Sequence, residues 1–282
     1  MTKLRKLNAR AWLISKLRSY SPLAFALSLF VVGVLLSGSI SSLIYIQYKK
    51  DAQLEFESES KYAVEKIQSI LSAYEIVLRD MRSLMYSVGL DSITRKNFKD
   101  YFLYRNVTEE FPGANGLGFV RKVKQNDLER YIKLTQENGY SAFKIKNFFP
   151  YKGDHWIIEY LEPLSTNKLA IGLNLASEPS RLETIVEAVR SGRAMLTPPI
   201  TLVQNKQKIN NGLLFILPIY QSTEMSKNNQ NKQNEAFGLA YSPLLLDNLM
   251  REFYKLQNTV NVDIFARNIN DEIVVLLSLI HI

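Results

Sequence analysis

The chain has no cysteine and only two histidines, and these shortages exclude several kinds of chemistry. Without cysteine there is no disulfide bond, no thiolate nucleophile and no cysteine-rich zinc or iron site. His155 and His281 have no partner at metal-ligand spacing, so no metal site is predicted, and His155 is expected at a strand start or in a loop. Patterns for a nucleophile elbow, P-loop, HExxH site or EF-hand are also missing, so neither catalytic residues nor a cofactor are predicted. The sequence therefore offers no recognisable nucleophile for a secreted hydrolase.

Acidic residues are absent from the first 50 positions, and this one-sided charge explains the formal net charge of +8. Eight of the 35 Lys and Arg residues precede Asp51, which leaves 27 against the 27 Asp and Glu residues. A basic excess confined to one end of a chain does not indicate a nucleic-acid surface on the rest of it. No nucleic-acid partner is predicted.

A long uncharged run near the start indicates a partner of another kind, the lipid bilayer. Residues 19–48 carry no charge, and residues 22–46 are mostly Leu, Val, Ile, Phe and Ala. At about 1.5 Å per residue such a run crosses a hydrocarbon layer of about 30 Å, so a transmembrane helix is predicted at residues 21–46. The basic residues 1–20 form a cytoplasmic tail by the positive-inside rule, which places the later residues outside the cytoplasm.

A cleaved signal peptide is the competing interpretation of this run. Ser37, Gly38 and Ser39 are small residues of the kind that signal peptidase requires. The apolar run resumes at Ile40 and continues to Ile46, which is longer than a signal peptide needs. The longer run favours an uncleaved anchor in the plasma (inner) membrane.

Residues 47–90 are predicted to form a stalk helix, because residues 51–88 contain neither Gly nor Pro. Their apolar positions recur in alternating steps of four and three, and Gly89 then ends the pattern. The residues of this seam are Ala63, Ile67, Ile70, Tyr74, Val77, Met81, Leu84 and Val88. Two interpretations stay open: a stalk that forms a homodimer, and a helix that covers a face of its own domain.

The remaining residues, 91–282, mix helix and strand signals and predict an α+β domain. Helices are predicted at residues 92–105, 126–137, 177–190 and 243–256. Strands are predicted at residues 116–123, 142–149, 156–161, 194–196, 213–219, 236–241, 260–266 and 272–279. The third helix is expected to begin at Ser177 with Pro179, or at Ser180 with Glu183, and to end at Gly192. Residues 221–234 are rich in Asn, Gln and Lys and predict a solvated loop.

Several short motifs follow one another in this domain. They are GLGFV at 116–120, EP at 162–163, AIGLN at 170–174, SEPSR at 177–181, AVRSGRAMLT at 188–197 and GLLFILPIY at 212–220. Together they resemble the CHASE domain, the extracytoplasmic sensory module of bacterial receptor cyclases and histidine kinases and of plant cytokinin receptors. The resemblance covers roughly residues 47–265. It implies a transmembrane helix, a long stalk helix and two PAS-like lobes.

The resemblance also implies that the full-length protein is a diguanylate cyclase or a histidine kinase. Such receptors re-enter the membrane after the sensor and continue into a cytoplasmic effector. Here only residues 273–282 are similarly apolar, too few to span a bilayer. The chain is therefore expected to be a fragment that lacks the second span and the effector.

The resemblance suggests where a small-molecule ligand binds. In cytokinin receptors an Asp and a Thr anchor the adenine-type ligand, and the matching positions here are Arg181 and Ile216. A cation with a rigid donor fork in place of a carboxylate favours an anionic ligand. The expected ligand-binding residues are Arg181, Thr197, Thr201, Val203, Ile216 and Glu162.

Alternatives stay open at two of these positions and for the protein as a whole. Arg181 also has Glu178 and Glu187 within reach on its own helix, and Glu162 before Pro163 also suits a structural bond.

The predicted function is a ligand-sensing input domain that signals through the stalk helix to a cytoplasmic effector. The alternative is a membrane-anchored dimerising or scaffold protein that senses no ligand.

Overall fold

The computed structural model describes residues 22–111, 113–138, 140–203, 212–221 and 235–249, and the backbone of residues 264–267 and 273–277. The chain divides into two compact units, Met1–Ala63 and Val64–Ile282. The predicted loop at 221–234 and the basic tail at 1–20 lie almost wholly outside the described residues.

The described part of the first unit belongs to helix α1, Pro22–Val88. One described helix is long and apolar enough to cross a membrane, and it is α1, with a mean hydropathy of 2.3 over its most apolar 18 residues, none of them buried. The hydroxyls of Ser28, Ser39 and Ser42 donate to backbone carbonyls of the preceding turn at 2.8–2.9 Å. Polar groups satisfied within the helix are what a hydrocarbon environment requires.

Helix α1 ends where the sequence predicts. Gly89 adopts a φ of 98°, and its N–H donates to the Met85 carbonyl oxygen at 3.0 Å. A left-handed residue after the last helical turn closes the helix, and glycine adopts that conformation at least cost. The predicted helix over residues 51–88 is confirmed, and it continues without a break from the apolar segment.

The other helices and strands alternate along the second unit. The helices are α2 (Arg95–Tyr104), α3 (Val107–Glu110), α4 (Leu128–Glu137), α5 (Leu164–Asn167) and α6 (Pro179–Ser191). Short 3-10 turns lie at Gln125–Asp127, Lys168–Ala170 and Leu175–Ser177. The strands are β1 (Leu117–Val123), β2 (His155–Glu162), β3 (Met195–Leu196), β4 (Gly212–Tyr220), β5 (Ala236–Leu245), β6 (Ile264–Arg267) and β7 (Ile273–Leu277).

The first five strands form one antiparallel sheet in the order β2-β1-β5-β4-β3, and β6 pairs with β7 in a separate two-stranded sheet. The predicted α+β class is confirmed. The described residues contain one large sheet, so the two PAS-like lobes stay a prediction.

Alternate residues of β4 face two different hydrophobic cores. Leu213, Phe215, Leu217 and Ile219 pack with α1 and α2 in what we term the α1 core. Leu214, Ile216 and Tyr220 pack with α6 in what we term the α6 core. All nine β4 residues are buried, as expected of a strand covered on both faces. The sheet is therefore a shared wall between the two cores.

The last third of α1 packs on the sheet of its own chain. Five of its side chains are at most 4% exposed: Tyr74, Val77, Leu78, Met81 and Met85. Leu78 and Met85 are not in the predicted seam, and Val88, which is in it, is 40% exposed. A helix on a sheet buries a broader stripe than a coiled-coil seam does. For this portion the interpretation of packing within the chain is confirmed.

One predicted element is wrong, and another begins later than predicted. Residues 142–149 form turns with a single bridge between Lys146 and Leu173, because the partner segment turns at Gly172 (φ 82°) and offers no continuing ladder. The helix predicted at residues 243–256 begins later, at Leu246, and is described as far as Leu249. Pro243 itself lies inside β5. Its carbonyl oxygen accepts from Asn115 N at 2.7 Å, so its backbone faces the β1 side, where pairing stops at Tyr241. A proline is tolerated there because no ladder hydrogen bond is lost.

Candidate functional site

Helix α6, which carries Arg181, begins differently from either expected cap. Glu178 is the N-cap, and its carboxylate accepts from Arg181 N at 3.1 Å. The Ser177 hydroxyl instead donates to Asn174 O at 2.6 Å and accepts from Phe148 N at 2.9 Å. Both predicted caps are wrong because tertiary partners engage Ser177 and Glu178 reaches the first turn. Pro179 opens the helix, and Gly192 ends it at a φ of 72°, both as predicted.

Arg181 is buried, with 4% of its surface exposed, and its guanidinium contacts three groups. Nη2 donates to the Thr201 carbonyl oxygen at 3.1 Å. Cζ lies 4.2 Å from the centroid of the Phe148 ring. Nε lies 3.5 Å from Glu178 Oε2. The expected pairing with Glu178 is confirmed, whereas Glu187 instead pairs with Arg190 at 2.7 Å.

Two buried polar atoms near Arg181 have no hydrogen-bond partner in the described residues: its own Nε and the Tyr241 hydroxyl oxygen. Burial lowers the pKa of Arg181 to about 10, although Glu178 and Tyr241 act in the opposite direction. Burial raises the pKa of Tyr241 well above its usual value, and Arg181 opposes this shift. At neutral pH the region therefore holds a guanidinium cation and a phenol, and both retain donors.

The other expected site residues surround this region in different ways. The Thr197 hydroxyl accepts from Leu214 N at 2.9 Å, so its side chain fastens β3 to β4. The Thr201 carbonyl oxygen accepts a hydrogen bond from Arg181 Nη2. Ile216, 1% exposed, is paired with Tyr241 across β4 and β5, and Val203 packs at the rim of the α6 core.

Glu162 lies at the end of β2. It is 6% exposed, precedes a cis peptide bond to Pro163, and its carboxylate accepts from Leu164 N at 2.9 Å. This contact stabilises the turn into α5 and corresponds to the structural bond that was the alternative for Glu162.

Asn174 is a buried polar centre that the sequence analysis did not single out. Its Oδ1 accepts from Trp156 N at 2.9 Å and from Ala176 N at 3.2 Å, and its Nδ2 donates to Asn147 Oδ1 at 3.0 Å. The side chain therefore joins β2 to the segment before α6. Its place at the end of the AIGLN motif was the available signal. Tyr241 carried no such signal.

Among the described residues no group of three His, Asp or Glu side chains is arranged to hold a metal ion. His155 begins β2 as predicted, is 3% exposed, and its Nδ1 lies 2.9 Å from Gly153 O. This contact accounts for the histidine as a structural residue.

The geometry defines a class of protein, an α+β domain whose first helix includes an apolar segment. Comparison with protein families identifies the member: the CHASE domain model matches residues 91–276, two thirds of the chain. The chain belongs to the CHASE domain family. CHASE domains are sensory extracytoplasmic domains of receptors, and they are themselves non-catalytic. A search of curated proteins found no match.

Proposed function

We propose that this chain is the ligand-sensing input domain of a membrane-bound receptor, and that it signals through α1 to a cytoplasmic effector. One observation carries the proposal beyond family membership. The helix that contains the candidate span also contributes Tyr74, Leu78, Met81 and Met85 to the α1 core. A change in sheet packing therefore acts directly on the element that leads to the membrane.

The ligand acts through the shared sheet. A ligand shifts a conformational equilibrium only by its difference in affinity for the two states. A ligand bound in the α6 core alters the packing of Leu214, Ile216 and Tyr220, whose neighbours along β4 pack on α1. Packed cores switch between discrete arrangements more readily than they deform gradually.

An anionic ligand near Arg181 is the proposed signal. The guanidinium already donates to Thr201 O, stacks on Phe148 and lies 3.5 Å from Glu178 Oε2, but its Nε and the Tyr241 hydroxyl form no hydrogen bond within the described residues. A carboxylate or similar acceptor satisfies such donors with charge-assisted hydrogen bonds. Apolar walls with a few polar anchors are typical of small-molecule sites.

The test is a calorimetric and thermal-shift screen of the full chain in lipid nanodiscs against small carboxylates, amines and purines. Binding of a carboxylate that Arg181→Gln weakens at least tenfold supports the site. Arg190→Gln is the matched control, because it lies on the same helix with a side chain that is 59% exposed. If no carboxylate in the screen binds more weakly to Arg181→Gln than to wild type, the anionic ligand at Arg181 is contradicted.

Orientation, location and output complete the proposal. The basic residues 1–20 and the apolar segment suggest a cytoplasmic N-terminus and a plasma (inner) membrane location, with the sensor outside the cytoplasm. The expected output is a diguanylate cyclase or a histidine kinase, as in receptors of this type. The separate β6-β7 sheet is consistent with a second PAS-like lobe.

A second candidate function is a dimerising scaffold without a ligand. It is favoured by apolar side chains exposed on the middle of α1: Leu54 at 54%, Phe56 at 62% and Tyr62 at 48%. Of the three, Phe56 lies seven residues before Ala63 and so continues the predicted seam, along which a homodimer would form. Cysteine crosslinking at Glu55 in nanodiscs distinguishes the functions. An extent of crosslinking that changes when a ligand binds supports sensing. An extent of crosslinking that no tested ligand changes supports the scaffold.

A further inference from the structure

A cleft of about 510 Å³ opens beside β2, an edge strand of the sheet. Its walls come from the start of α2, from β1 and β2, and from α4. The residues that matter for its chemistry are Arg95, Arg121, Tyr131, Tyr140, Glu159 and Tyr160. A cavity of this volume is in the range of small-molecule sites.

Arg95 is the cation of the cleft that lacks a carboxylate partner among the described residues. Its Cζ lies 4.9 Å from the Tyr140 ring centroid and 5.5 Å from that of Tyr160. Nη2 donates to the Glu159 carbonyl oxygen at 3.2 Å, and Nη1 is buried without a hydrogen-bond partner. The residue as a whole is half-buried, so its guanidinium can turn toward a ligand. One donor group is thus available for an anion.

Tyr131 supplies a second donor. Its hydroxyl oxygen is also buried and without a hydrogen-bond partner. Burial and the nearby Glu159 carboxylate raise the pKa of Tyr131, so the phenol keeps its proton at neutral pH. An acceptor is the partner that both Tyr131 and Arg95 lack.

The carboxylates of the cleft are already engaged. Arg121 forms an ion pair with Glu159, and its Nη1 lies 2.9 Å from Asp91 Oδ1. Two carboxylates on one guanidinium leave this side of the cleft negative, so a ligand with two negative charges meets repulsion there. A ligand with a single negative charge, directed at Arg95, avoids this repulsion. The tyrosine rings and Leu134 provide apolar wall for an organic body.

We propose that this cleft is a second ligand site, which binds a small organic monocarboxylate. The carboxylate accepts hydrogen bonds from Arg95 and Tyr131, and the apolar body lies against the tyrosine rings. The site is distinct from the Arg181 region, since the two share no residue.

Benzoate is the probe, measured by calorimetry on the full chain in nanodiscs. Arg95→Gln and Tyr131→Phe should each weaken benzoate binding at least fivefold. Tyr131→Phe removes only a hydroxyl without a partner, so its melting temperature should stay unchanged or rise while affinity falls. Tyr104→Phe, at a residue 91% exposed, and Arg181→Gln should bind benzoate as wild type does. Benzamide and succinate should bind at least fivefold more weakly.

Several results overturn the second site. They are no benzoate binding at millimolar concentration, wild-type binding by both Arg95→Gln and Tyr131→Phe, and succinate or benzamide binding as tightly as benzoate. Loss of benzoate binding in Arg181→Gln alone also overturns it, because the anion then binds in the α6 core. That last result leaves the proposed sensing function intact, so the two failures are distinguishable.

Discussion

The Tyr86 hydroxyl on α1 forms hydrogen bonds with both backbone groups of Tyr220 at the end of β4. It donates to the Tyr220 carbonyl oxygen at 3.0 Å and accepts from the Tyr220 N–H at 3.0 Å. The Tyr220 hydroxyl in turn donates to Val189 O on α6 at 2.7 Å. One residue of the sheet therefore joins the helix of the candidate span to the helix that carries Arg181.

Removing the Tyr86 hydroxyl should cost stability. Tyr86→Phe leaves the N–H and C=O of Tyr220 without this partner, and a loss of about 1–3 kcal/mol in the free energy of unfolding is expected. Urea unfolding measures it. A double-mutant cycle with Tyr220→Phe should give a coupling energy of at least about 0.5 kcal/mol. Strict additivity would show that the two helices are not coupled through Tyr220.

Asn174 should be among the most sensitive polar positions. Asn174→Ala removes the acceptor of two buried N–H groups and should cost about 2–4 kcal/mol in the free energy of unfolding. Asn147→Ala is the matched comparison, since it removes only the partner of Nδ2 and should cost less. Thermal and urea unfolding of both variants check the order. A smaller loss for Asn174→Ala than for Asn147→Ala would contradict it.

Stability should fall in alkali partly through Tyr220. Burial raises the pKa of this phenol to about 12, and Arg82 opposes the rise. The unfolded value is about 10, so the folded chain retains the proton longer. The contribution, about 2–3 kcal/mol at most, is fully present below pH 10 and is lost as pH rises toward 12. Urea unfolding at pH 9 and 11.5 should show a smaller decline for Tyr220→Phe than for wild type, and equal declines would refute the assignment.

A side chain at position 118 on β1 should destabilise the fold. A Cβ there would lie 2.7 Å from the Tyr160 carbonyl oxygen and would overlap the Tyr241 ring. Gly118→Ala should therefore cost about 1–3 kcal/mol in the free energy of unfolding. Gly38→Ala is the control, because a Cβ at Gly38 meets no atom within 4 Å. Equal melting temperatures for the two variants would contradict the close packing of β1 on β5.

Local signals account for the elements that were predicted from sequence. Helix α1 was predicted because residues 51–88 have no breaker and Gly89 ends them. Helix α2 lies within the helix predicted at residues 92–105, and Thr94 caps it in a capping box with Asn97. Strands β1, β2 and β4 were predicted because apolar residues dominate short segments. Such signals lie within a few residues of the element they specify.

The wrong predictions depend on distant partners. Pro243 is read locally as a helix start, and only the place where β1 stops pairing makes it acceptable in β5. The second cleft could not be predicted, because Arg95 and Glu159 are 64 positions apart. The surroundings of Arg181 were predicted in part. Glu178 is a helical neighbour, whereas Phe148 and Tyr241 reach Arg181 only through the fold.

Membrane topology is the most direct test of the proposed sensor. Because the chain has no cysteine, an introduced cysteine is the single thiol that can be labelled. The Lys133 side chain on α4 is 79% exposed, so Lys133→Cys gives a single accessible thiol. Thr2→Cys in the basic tail is the matched control. In spheroplasts, a membrane-impermeant maleimide should label Lys133→Cys before lysis and Thr2→Cys only after it. Labelling of Lys133→Cys only after lysis would place the domain in the cytoplasm and contradict an extracytoplasmic sensor.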